Sequence, residues 1–219
     1  MCVYDVCVID LSLAERLGRC NAGLVLEMLL RKHADHQDLV LSASLAMAAL
    51  AVLPTNRIHL RKVGSSEVLL LVLHKFVDNA GIVASVSLAL GSVCKDDIKH
   101  EAPDTIGTIG TIGTNNAYTL LVKILDDYVD SSVVSSAVCR AMAYIAANHN
   151  QNQLALITAG ACGAVCKILE RHVDSEEVTK NAVHAIAELS MNAIAANMLA
   201  QVCLVYCWFT CWLVYLLVC

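Results

Sequence analysis

Three clusters in this 219-residue sequence carry side chains of the right type for chemistry. His33, Asp35, His36 and Asp38, in "HADHQD", crowd potential metal ligands together. No Cys pair at metal-ligand spacing accompanies them, and they fall in a polar stretch between apolar runs, so a solvated loop is expected rather than a metal site. Cys139 with His149 or His184 has the types of a nucleophile and a base. Nothing in the sequence brings them within hydrogen-bond reach, and no third group orients the base. Gly107, Gly110 and Gly113 make GxxGxxG inside "TIGTIGTIGTNN". A phosphate cradle needs a preceding strand or a following Lys-Ser/Thr pair, and neither is present. Cys162 and Cys166, one helical turn apart, read as core cysteines. The expectation is no catalytic residue, no cofactor and no metal.

The elements that hold these residues follow from composition. Hydrophobic residues make up 58% of the chain, with a mean hydropathy of +0.63 and aromatics at only 5%. The apolar mass is Ala, Leu, Val and Ile, which suits closely packed small helices. With two Pro and ten Gly, long stretches can stay helical. The net charge is −5 and the basic residues are scattered. The nearest approach to a basic patch is Arg57, Arg61 and Lys62 with Arg31 and Lys32, too sparse for a nucleic-acid surface. The amino terminus, "MCVYDVCVID", has no positive n-region and carries Asp5 in its apolar run, which makes a poor signal peptide. Most of the eleven cysteines then read as small buried hydrophobes in a reducing compartment, the cytoplasm, with the nucleus as the alternative.

Sliding the chain against itself aligns four blocks at successive offsets of 43, 52 and 44 residues. One column reads Leu26, Leu69, Leu121, Val165, and another Leu30, Leu73, Leu125, Leu169. Asp35, Asp78, Asp130 and Asp174 fall together, as do Leu39, Ile82, Val134 and Val178. So do Ala46, Ala89, Ala141, Ala185, and Leu50, Val93, Ile145, Leu189. A seventh column holds Asn21, Gly64, Asn116 and Gly160. Asn and Gly are the residues that tolerate left-handed backbone where a helix ends. Leu pairs four apart give the next helix an apolar stripe. The repeated Asp is expected to cap a third helix, and "DSEE" has capping-box spacing. In that last helix Val178, Ala182, Ala185, Ile186 and Leu189 share a face, and small Ala residues admit a close neighbour. Each block is thus a short helix, a turn, a second helix, a loop and a longer third helix.

The segment "NQNQLALITAGACGAVCKILERHVDSEEVTKNAVHAIAELSMN" resembles the armadillo repeat. It has a polar start, a Gly after the first helix, Leu-rich spacing in the second, and A-x-x-A-[LI]-x-x-L in the third. The resemblance covers roughly residues 12–192 and weakens toward the first block. It implies an all-α, right-handed solenoid of about four three-helix repeats whose third helices line a concave groove. HEAT repeats are the nearest rival, but the Gly column and three-helix spacing favour armadillo. The resemblance further implies a non-enzymatic scaffold that binds a protein or peptide. Import receptors of this fold use a Trp and an Asn on the third helix. The matching positions here are Leu45 and Ala49, Leu88 and Ser92, Arg140 and Tyr144, His184 and Glu188, so recognition of nuclear signals does not carry over.

The expected organisation is an array over 1–201, with repeats at 12–55, 56–95, 96–148 and 149–192 and an uncharged tail at 202–219. The offset of 52 exceeds 43 by nine residues, three TIG units, which reads as an insertion at 103–114. "DDIKHEA" supplies the third block's first helix, and Pro103 closes it. The tail, "VCLVYCWFTCWLVYLLVC", is long enough for a membrane span. An end-cap or aberrant terminus is its first reading and a tail-anchored adaptor the competing one; a degenerate fifth repeat and a self-association patch are its other readings. The concave wall is expected at i, i+4 and i+8 on the third helices. That gives Ser136, Arg140 and Tyr144, then Lys180, His184 and Glu188. In the first two blocks the stripe includes Leu41, Leu45 and Ala49, then Ala84, Leu88 and Ser92, so the wall grades from apolar to mixed charge. Arg140 and Tyr144 are the expected hot spots.

Overall fold

A computed structural model describes residues 11–95, 116–193 and 197. Among them are eleven α-helices and no strand. The backbone divides into two compact units, Met1–Ile112 and Gly113–Cys219, with the division inside the TIG stretch. The first holds α1 (Leu11–Arg19), α2 (Ala22–Lys32), α3 (Gln37–Leu50), α4 (Pro54–Lys62), α5 (Ser65–Lys75) and α6 (Ala80–Cys94). The second holds α7 (Asn116–Asp127), α8 (Ser132–Ala146), α9 (Asn150–Thr158), α10 (Ala161–Arg171) and α11 (Glu176–Ser190). The helix expected at "DDIKHEA", the TIG insertion and the tail at 202–219 lie outside the described residues. Helix α4 starts two residues before the block boundary at 56, because Pro54 at the first turn has a ring already set to a helical φ.

The Asn/Gly column turns the chain between the first and second helices. Asn21 sits at φ 58°, Gly64 at 81° and Gly160 at 95°, all left-handed, and each precedes the second helix of its triplet. At Gly160 the chain bends by 74° between α9 and α10. Asn116 opens α7.

The Asp column acts otherwise than its spacing suggests. The residue after each Asp is the N-cap of the third helix: His36, Asn79, Ser131 and Ser175. Asn79 Oδ1 accepts from Ile82 N and Ser131 Oγ from Val134 N, whereas Ser175 makes no such bond, so "DSEE" is not a closed capping box. Asp35 instead pairs with Lys75, and Asp130 with Arg171, each reaching the end of the next triplet's second helix. Lys167 Nζ donates to Asp126 Oδ1 at 2.8 Å in the same sense. These carboxylates are solvent-exposed and screened, so the pairs fix register more than they add stability.

Like packs on like within each unit: α1 on α4, α2 on α5 and α3 on α6, then α7 on α10 and α8 on α11. Third helices therefore run beside third helices. The column leucines Leu30, Leu69, Leu73, Leu121 and Leu125 are fully buried, each contributing about 1.5–3 kcal/mol. Ala89, Ala141 and Ala185 are also buried, where a small side chain lets helices approach.

Buried polar side chains close the ends of the third helices, where carbonyls lack intrahelical donors. Asn56 Nδ2 donates to Leu50 O and to Ala14 O, both at 3.0 Å. In the second unit Asn152 Nδ2 donates to Ile145 O at 2.9 Å, and Gln153 Nε2 to Ala146 O at 3.0 Å. Tyr118 OH donates to Asn152 Oδ1 at 2.8 Å. Arg57, which composition placed in a basic patch, is only 3% exposed and its Nη1 donates to Ala51 O and Val52 O. Gly18 makes room for this arrangement: a Cβ there would come within 1.9 Å of Asn56 Oδ1.

Candidate functional site

Helices α8 and α11 hold the charged stripe. Asn181 Nδ2 donates to Ser136 Oγ at 2.9 Å, and the Tyr144 and His184 rings meet edge to face at 5.5 Å. Residue numbers rise together across the two contacts, so the helices run in the same direction. Between them lies an open groove of about 710 Å³. Arg140 and Tyr144 line it from α8; Glu176, Glu177, Lys180, Asn181 and His184 line it from α11.

Four of the six residues expected on this wall therefore come together: Arg140, Tyr144, Lys180 and His184. Glu188 stands one turn beyond, its Oε1 3.5 Å from His184 Nε2. Ser136 departs from the expectation. It is 4% exposed, because α11 lies across the first turns of α8 and Asn181 takes its hydroxyl. Ser92 on α6 is likewise buried, at 7%. Leu45 and Leu88 are half-buried on α3 and α6. Stepping by four from Lys180 passes over Asn181, and Glu176 and Glu177 read from sequence as first-turn acids complementing the helix dipole. Their presence in the first turn was the available signal; that they also border a groove depends on α8.

The electrostatics of this groove are unbalanced locally. The Arg140 guanidinium carbon sits 5.7 Å from the Tyr144 ring centre, in cation–π range. Its Nε is buried without a hydrogen bond. Among the described residues, Arg140, Lys180, Glu176 and Glu177 make no ion pair. Two cations and two anions thus face one cleft uncompensated by each other.

The other candidates resolve differently. Cys139 is fully buried, and burial pushes its thiol up to about 12, so it stays protonated and unreactive near neutrality. Asp35 is engaged by Lys75, which holds its carboxyl below the usual carboxylate range; His33 and His36 tilt against each other with ring centres 5.8 Å apart. Among the described residues no three His, Cys, Asp or Glu side chains converge as metal ligands. Cys162 is buried and Cys166 half-buried on α10.

No protein-family model and no curated protein matches the sequence. Solved structures do match. A designed armadillo repeat protein, YIII(Dq)4CqI, is 27% identical with a TM-score of 0.70, over 86% of this chain and 74% of its own. A second design, YIII(Dq.V1)4CPAF in complex with the peptide (KR)4, is 26% identical with a TM-score of 0.68, over 86% and 73%. A structure from work on a phosphorylation switch controlling the interaction between cadherin and beta-catenin gives a TM-score of 0.65 at 18% identity. This chain spans 86% of its own length but only 33% of that one. The fold is armadillo-like: an all-α solenoid repeat.

Proposed function

We propose that this chain is a non-enzymatic scaffold that binds a peptide or protein along its third helices, with the α8–α11 groove as the principal contact. One observation carries this reading. Two parallel third helices frame an open groove in which Arg140, Tyr144 and His184 present large, directional side chains. The likeness to an armadillo design in complex with a peptide supports it. On α3 and α6 the half-buried Leu45 and Leu88 extend the same reading to an apolar contact in the first unit. We place the protein in the cytoplasm, because eleven cysteines in a helical repeat suit a reducing compartment. Among the described residues no single helix is long and apolar enough to cross a membrane.

The test is selection of displayed peptides on the immobilised whole chain, followed by titration against Tyr144→Ala. Truncating a half-buried aromatic hot spot should weaken a groove-bound peptide about tenfold or more. If selected peptides bind the variant as well as the parent while the fold holds, the groove assignment is wrong.

A further inference from the structure

Four unpaired charges of two signs in one groove, arranged along parallel helices, restrict what can fill it. We infer that the α8–α11 groove takes an extended peptide of mixed charge, with a basic and an acidic side chain two residues apart. This rests on the groove reading above and names the ligand class for that groove.

The order of charges follows from the helices. Glu176 and Glu177 occupy the first turn of α11, and Lys180 stands about one turn on. Arg140 lies level with the stretch from Lys180 to His184, as the paired contacts Ser136–Asn181 and Tyr144–His184 require. The anionic end is therefore separated from the cationic middle by three to seven helical residues, about 5–10 Å. In an extended peptide, side chains on one face recur every second residue, about 6.6–6.8 Å apart. A Lys-x-Glu step thus places an ammonium near Glu176 and Glu177 and a carboxylate near Arg140 and Lys180.

The reason for wanting a carboxylate at Arg140 is specific. Its Nε is buried with no acceptor and its guanidinium leans on the Tyr144 ring, so the cation has lost water on one side without gaining a counter-ion. A carboxylate meeting the guanidinium makes a charge-assisted bond in a partly desolvated setting, where such bonds are strongest. A uniformly basic peptide would instead set a like charge against Arg140 and Lys180, and a uniformly acidic one against Glu176 and Glu177. This departs from the (KR)4 peptide held by the designed relative.

Three fluorescent peptides with one uncharged frame and Lys-x-Glu, Lys-x-Lys or Glu-x-Glu at its centre test the inference by anisotropy on the whole chain. The mixed peptide should bind about tenfold more tightly than either like-charged one, with affinity falling as salt rises. Lys180→Glu, at an exposed position, should weaken the mixed peptide and strengthen Lys-x-Lys. Arg140→Glu, checked for retained helicity and melting temperature, should do the same. Equal or tighter binding of Lys-x-Lys to the parent chain would overturn the inference, and so would binding that ignores the charge reversals. If those peptides still lose affinity in Tyr144→Ala, only the charge rule has failed. If no peptide binds, both the charge rule and the groove reading fall.

Discussion

Cysteine 139 shows how completely tertiary packing can silence a reactive side chain. It is fully buried, whereas Cys20 is exposed, and iodoacetamide applied to the native chain at pH 8 should label Cys20 well before Cys139. Peptide mapping by mass spectrometry reads the order, and early labelling at Cys139 would refute its burial. The thiol also ties stability to pH. Its folded value, about 12, lies above the unfolded value near 8.5, so the protonated core cysteine is fully favourable below about pH 8.5. That contribution is lost as pH rises toward 12, at a rate of at most about 1.4 kcal/mol per pH unit. Between pH 8.5 and 10, Cys139→Ala should lose less stability than the parent in urea titrations. Asp35 has the opposite sign. Lys75 depresses its carboxyl, so their tether is present at neutral pH and disappears as acid protonates Asp35.

Helices in this molecule are ended by their neighbours. Asn152 Nδ2 satisfies Ile145 O and its Oδ1 accepts from Tyr118, so Asn152→Ala removes two buried hydrogen bonds at once. Leaving the helix-end carbonyl without that donor costs about 1–3 kcal/mol, and the second unit should lose at least a comparable amount in chemical denaturation. Tyr118→Phe removes only the bond to Asn152 Oδ1 and leaves Asn152 Nδ2 on Ile145 O, so it separates the two contributions. The paired third helices set a harder limit. Ala141 and Ala185 are fully buried on α8 and α11, and an Asp at either buries a charge with no partner. A loss of roughly 3–5 kcal/mol is expected from such an uncompensated charge, enough to abolish cooperative melting of that unit by circular dichroism. An Ala185→Asp chain melting like the parent would contradict the α8–α11 packing.

At the scale of the whole molecule, residues 202–219 distinguish a cytoplasmic scaffold from a membrane-anchored one. The groove proposal needs nothing from them, so a chain ending at 201 should bind selected peptides with unchanged affinity. Carbonate extraction of membranes from cells expressing the whole chain separates the readings. Release into the supernatant fits the cytoplasmic scaffold, and carbonate-resistant pelleting that vanishes on truncation would establish a tail anchor instead.

Much of this molecule was legible from its columns. Spacing alone predicted helix triplets, the left-handed turns at Asn21, Gly64 and Gly160, and the buried face of α11 from Val178 to Leu189. Such features depend on neighbours three or four residues away, and a linear sequence records those directly. Contacts between repeats were not legible. Val25 and Val68 occupy one column, yet Val68 is 1% exposed, on a helix that packs against α2, while Val25 is 53% exposed. The groove residues divide in the same way. Ser136 and Lys180 hold one position in successive repeats; one is sealed by Asn181 and the other faces the cleft. The Asp column kept its spacing but found its partners about forty residues away, in Lys75 and Arg171. Sequence periodicity determines what each helix is and which side is apolar. Which copy of a repeated position is covered depends on the neighbour stacked against it, and that is decided only when the helices pack.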